Sequence, residues 1–289
     1  MEKISVRYRN LIVDMLKKAR QSTVVTEDNV LQEGNKDTLF YMNQIVKENL
    51  GEKTELRGKE HIEELYRRAQ DGESCLLLVE HYSNLDLPVL AWLIRSTMEN
   101  GDAIADAIIA IAGVKLNESN PVVTAFAECY SRIVIAPSRS LAKLDPQKDQ
   151  DEIKRLAGIN RASMKALNTA KKSGRIILVF PSGTRFRPWE PETKRGVREI
   201  DSYIKGFDNM CLVSLNGLAL HMQEGRMEED LITKADMLVE ASPVLSCNEF
   251  RNRVRESLAP EADAKQAVVD AIMAELEAMH VKNDAFIKN

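Results

Sequence analysis

Long apolar runs are missing from this chain of 289 residues. Its most apolar stretches, 88–94 and 103–114, fall short of the roughly 18–20 residues needed to cross a bilayer, and Asp106 interrupts the second. The first seven residues lack the apolar core of a secretory signal, and their acidic Glu2 fits a transit peptide poorly. Cysteine is sparse too. Cys75, Cys129, Cys211 and Cys247 are far apart with no CxxC pair, which predicts four unpaired thiols in a reducing, cytoplasmic setting. Only four histidines are present, with no Cys/His clustering, so neither a metal site nor a cofactor is expected. An excess of positive charge is absent as well. With 40 Lys+Arg against 44 Asp+Glu, the net charge of −4 and a pI near 5.8 argue against a nucleic-acid partner. No Gly-x-Ser-x-Gly elbow of a serine hydrolase occurs, and there is no internal repeat.

What is present is the balance of a globular protein, 44% hydrophobic and 29% charged. The first seventy residues read as helical. Tyr8, Leu11, Ile12, Met15 and Leu16 recur at helical spacing, as do Leu39, Met42, Ile45, Val46 and Leu50, and no strand signal intervenes. Residues 1–58 are therefore expected to form a helical N-terminal region or small domain. The amphipathic stretch 6–16, flanked by Arg7, Arg9, Lys17 and Lys18, permits weak peripheral contact with a membrane surface, although a core-packed helix shows the same pattern. From Ser74 short β-prone runs appear at 75–79, 107–111, 132–136, 175–180, 210–215 and 237–239, with helical patterns at 88–98, 151–172 and 197–207. This alternation predicts an α/β fold over 59–289, a mixed, largely parallel sheet covered by helices on both faces. Val268, Ile272, Leu276 and Met279 predict a C-terminal helix.

Two short segments carry candidate chemistry. Glu80-His81-Tyr82-Ser83-Asn84-Leu85-Asp86 follows a predicted strand and precedes a predicted helix. Histidine accepts a proton near neutrality, and a carboxylate beside it can orient the ring and stabilise the imidazolium. On one helix, residues five apart diverge, but across a strand-to-helix turn they can converge. The alternative is plain: Asp86 stands where a helix N-cap belongs. The second segment is Phe180-Pro181-Ser182-Gly183-Thr184-Arg185-Phe186-Arg187-Pro188. In an extended chain Arg185 and Arg187 project to one side, and two guanidinium forks suit a phosphate or carboxylate. From Lys171 to Lys205 nine basic residues face four acidic ones, a local excess of five in an acidic chain. A solvated basic loop is the alternative here.

Together, His-x4-Asp and, about a hundred residues later, Phe-Pro-Ser-Gly-Thr-Arg resemble the glycerophosphate acyltransferase superfamily. Within it the Ser182-to-Pro188 form is most similar to the soluble, plastid-type glycerol-3-phosphate acyltransferases. The resemblance covers about residues 60–220. It implies that His81 and Asp86 are catalytic and that Arg185 and Arg187 bind the acceptor's phosphate. The family's intermediate segment carries a basic pair at the same pocket, whose nearest matches are Arg139 and Ser140. The family usually has Asn before the His, where this chain has Glu80, and the segment after Pro188 is shorter here.

The implied activity is acyl transfer from a thioester, acyl-CoA or acyl carrier protein, to the sn-1 hydroxyl of glycerol 3-phosphate. His81 would take the hydroxyl proton, Asp86 would orient it, and the arginines would position the acceptor. Gly183 or a nearby backbone amide could serve the oxyanion, with Ser182 in the same turn, whereas Ser83 and Ser182 are turn or capping residues rather than nucleophiles. Two other readings stand beside it: a lysophosphatidate acyltransferase, and a non-catalytic phosphate-binding module.

Overall fold

The computed structural model describes residues 1–20, 24–118 and 121–288. Among the described residues twelve strands form two sheets. In chain order they are β1 (Glu2–Lys3), β2 (Leu31–Gln32), β3 (Glu55–Arg57), β4 (Cys75–Val79), β5 (Ile108–Gly113), β6 (Arg132–Ile135), β7 (Ile176–Val179), β8 (Asn209–Asn216), β9 (Leu220–His221), β10 (Leu231–Ile232), β11 (Leu238–Ala241) and β12 (Leu245–Ser246). The main sheet runs β2-β6-β5-β7-β4-β8-β11-β3, with β12 also on β8. Its five central strands, β6 to β8, are parallel, while β2 joins β6 and both β11 and β12 join β8 antiparallel, and β3 pairs parallel with β11. β1, β10 and β9 make a small antiparallel sheet.

The all-apolar runs of β4 and β7 are what a doubly covered parallel sheet requires, and every residue of both strands is buried. One face meets the N-terminal helices through Ile12, Met15, Met42 and Ile45 together with Leu77 and Leu178. The other meets the helices Cys247–Glu256 and Ala264–Lys288, where Val268, Val269, Ile272 and Leu276 pack on Leu76, Leu78 and Leu212. Helix Gln150–Ala170 covers the β6 side, Leu156 and Ile159 meeting Val134. The expected α/β class, with a largely parallel sheet between helical layers, is therefore what the chain adopts. Among the described residues no helix is long and apolar enough to cross a membrane.

The N-terminal stretch differs from its expected all-helical character. It contributes β1, β2 and β3, each only two or three residues long and too short to carry an alternating pattern. Tyr8, Ile12 and Met15, the apolar side of the amphipathic stretch, are buried in the shared core. The four cysteines are free and buried, and burial pushes all four thiols up to about 12.

Candidate active site

β4 and β7 are adjacent and parallel, with Leu78 opposite Val179. The loops after them leave the carboxyl edge of the sheet side by side, where open α/β sheets place ligands. Residues a hundred positions apart thereby meet.

The loop after β4 is tied together by one carboxylate. Asp86 is the first residue of helix Asp86–Thr97 and is 1% exposed. Its Oδ2 accepts from the backbone N–H of Tyr82 (2.6 Å) and of Ser83 (2.8 Å) and lies 2.9 Å from His81 Nδ1, while Oδ1 accepts from Ser83 Oγ (2.8 Å). The N-cap position belongs to Leu85, so Asp86 reaches back into the loop and not forward onto helical amides. With Nδ1–H donating to Asp86, the imidazole presents Nε2 as its proton acceptor. The His81 ring stacks on Phe180 from the neighbouring loop, centroids 3.8 Å apart at 14°. Phe186 N–H donates to His81 O at 2.8 Å, a backbone link between the loops.

The loop after β7 turns at 181–184 and again at 188–189, and Arg185 and Arg187 lie between these turns, Arg187 bridging to Glu190. Both arginines border the same space. Gly183 has φ +61°, a left-handed conformation that favours glycine. Its N–H donates to Phe180 O at 2.9 Å, its carbonyl accepts from Arg139 Nη2, and Ser182 Oγ donates to Thr184 O. Arg185 Nη1 donates to Asp230 Oδ2 at 2.6 Å, the carboxylate being buried and the arginine side chain 12% exposed. Burial lifts the Asp230 carboxyl above its ordinary value, and the backbone N–H of Gln223 and the charge of Arg185 only partly offset this. Arg187 pairs with Glu190 at 2.9 Å near the surface. A guanidinium has five donors, so each ion pair orients a fork without consuming it.

His81, Arg139, Arg185 and Arg187 all line one cavity of about 1210 Å³. Its walls are otherwise mainly apolar and include Leu87, Ala112, Phe126 and Met164. That volume exceeds the roughly 300–1,000 Å³ of ordinary small-molecule pockets and has room for two substrates together. Ser182 and Gly183 border it as well.

A His–carboxylate pair set at the carboxyl edge of an α/β sheet, beside guanidinium groups and a largely apolar cavity, is an arrangement that can serve general-base chemistry on an amphipathic substrate. The sequence model of a family described as Acyltransferase matches residues 53–212, more than half of the chain, and the chain belongs to that family of the glycerophosphate/lysophosphatidate acyltransferase superfamily. No curated protein matches the chain.

Several contacts of the site have no signal in the sequence. Phe180 opens the Phe-Pro-Ser-Gly-Thr-Arg segment, but nothing there marks its stacking on His81. Asp230 lies in a segment without a motif and is placed by β10 and by its own carbonyl, which accepts from Ile4 N–H at 3.0 Å. Glu80 was visible as a departure from the family pattern, but its partners on β8 and on the C-terminal helix were not.

Proposed function

We propose that this acyltransferase moves a fatty acyl group from a thioester, on coenzyme A or acyl carrier protein, to the sn-1 hydroxyl of glycerol 3-phosphate, the first step of phospholipid synthesis. The observation that carries the reading is that a single cavity is bordered by His81, whose ring Asp86 holds, and by Arg139, Arg185 and Arg187. Nε2 of His81 takes the proton of the acceptor hydroxyl as its oxygen attacks the thioester carbonyl carbon. Asp86 holds the ring and balances the imidazolium. The C–S bond then breaks, and the leaving thiolate takes the proton from His81. The arginines hold the acceptor's phosphate and so fix the hydroxyl against the carbonyl, which turns affinity into rate. The apolar wall takes the acyl chain. No covalent acyl-enzyme is needed, because the acceptor oxygen attacks the thioester carbonyl directly.

The test crosses two acceptors with two donors. Purified protein is supplied with glycerol 3-phosphate or lysophosphatidate, and with acyl-CoA or acyl carrier protein thioester, and the lipid product is analysed. Acylation of glycerol 3-phosphate at sn-1, with initial rates that show both substrates bound before product leaves, is the expected result. Turnover of lysophosphatidate alone would replace the acceptor, and retained phosphate binding with no thioester turnover would leave only a binding module.

A further inference from the structure

The residues on either side of His81 are held from the far end of the chain. Glu80 continues β4, its N–H donating to Val213 O at 3.0 Å, and its side chain is buried. Glu80 Oε1 accepts from Tyr82 OH at 3.0 Å. Oε2 accepts from Leu215 N–H at 2.8 Å and lies 3.0 Å from Nδ1 of His280, on helix Ala264–Lys288. His280 Nδ1 is also 3.3 Å from Tyr82 OH. Its backbone carbonyl accepts from Asn216 Nδ2 at 2.8 Å, which anchors this turn of the helix to the end of β8. The Tyr82 ring meets Phe186 edge-on, and Phe186 is the residue whose N–H holds His81 O.

We propose that His280 is a positioning residue for His81, acting through Glu80 and Tyr82 and holding the catalytic loop in working geometry while its imidazole is protonated. A buried carboxylate is costly without a positive partner, and of the three groups bonded to Glu80 only His280 can carry that charge. The inference rests on the proposed role of His81 and not on the identity of the acceptor.

The charged surroundings of His280 favour protonation. Glu80 faces it from the β4 loop and Asp284 from its own helix, Oδ1 standing 3.7 Å from Nε2. Lys194, from the turn Pro191–Lys194, opposes it and is itself paired with Glu277. Burial lowers the imidazole pKa, but the hydrogen bond and charge of Glu80 outweigh burial and raise it above 6.5. A group with a raised folded pKa contributes stability that is fully present below its unfolded pKa and is lost as pH rises through the folded value. The clasp is thus closed in mild acid and opens toward alkali. Loss of the clasp gives kcat an alkaline limb.

The test joins a pH profile of acyl transfer to a proton NMR titration of the histidine rings. In the wild-type protein the His280 midpoint is expected above 6.5, and a midpoint at or below 6.5 overturns the proposal without any variant having to fold. In Glu80→Gln the midpoint is expected to fall and the alkaline limb of kcat to vanish, since a neutral amide needs no cation. In His280→Gln, kcat at pH 6.5 is expected at the wild type's low alkaline level, with KM for both substrates changed less than about twofold, and Glu80→Gln added to it is expected to restore the lost turnover. An alkaline limb that persists unmoved in both single variants overturns the proposal. A raised His280 midpoint in a protein that ignores glycerol 3-phosphate would sink the acceptor assignment and leave the clasp standing.

Discussion

The loops after β4 and β7 lie side by side and are built on opposite plans. In the first, one buried carboxylate gathers the loop inward: Asp86 alone receives two backbone amides, a hydroxyl and an imidazole. In the second, the arginines are steadied by single carboxylates, and Arg139 by a carbonyl, while they border the cavity. Proton transfer needs one ring nitrogen fixed to within a fraction of an ångström, whereas gripping a phosphate needs donors left over for the ligand. The first loop is therefore closed to change and the second is graded, with Arg185 the more enclosed and Arg187 nearer the surface.

The largest break in this comparison is His81→Ala. It is expected to lower turnover by about 10²–10⁴-fold, the usual worth of a positioned general base, while leaving glycerol-3-phosphate binding in place. Near-wild-type acylation by the purified variant would move the chemistry out of the first loop altogether.

The two arginines then separate. Arg185→Ala strips a buried carboxylate of its cation and is expected to cost about 3–5 kcal/mol of stability by chemical unfolding. Because the Asp230 carboxyl is already raised, the sign with pH follows: its charge penalises folding at neutrality, and the penalty is relieved as pH falls through the folded pKa and Asp230 protonates. The gap between Arg185→Ala and wild type is thus expected to narrow in acid. Arg187→Ala removes a pair exposed to solvent, worth about 0–1 kcal/mol. Its effect is expected on function, with acceptor KM raised roughly tenfold or more, as for losing one hydrogen bond of about 1.5–3 kcal/mol to a charged group. Equal stability losses in the two variants would erase the distinction between a buried anchor and a rim clamp.

How much of this was legible in the sequence follows from how each feature is encoded. β4 and β7 are continuous apolar runs, so their existence and the motifs at their ends could be read locally. The adjacency of β4 and β7 in the sheet could not, because pairing order is set by long-range packing. The pair His81–Asp86 was visible from spacing, but that Asp86 turns back to the loop while Leu85 takes the cap position depends on backbone geometry. Arg185 was visible, whereas Asp230 is brought to it by a two-residue strand that pairs with the N-terminus. Glu80 stood out only as a mismatch. Its meaning lies 200 positions away at His280, beyond the reach of any local pattern.

The smallest expected effect probes the seam between the two loops. Phe180 belongs to the second loop yet stacks on the ring of the first at 3.8 Å. Phe180→Leu keeps an apolar side chain of similar bulk and removes only the ring-on-ring contact, worth about 0.5–1.5 kcal/mol beyond burial. If that stack aligns the base, the loss appears in kcat as a fall of up to about tenfold, with KM for both substrates unchanged. If it only fills space, kcat stays and the unfolding midpoint shifts slightly. A change confined to acceptor KM would instead mean that Phe180 works for the phosphate loop it comes from, and the division of labour between the loops would have to be redrawn at this residue.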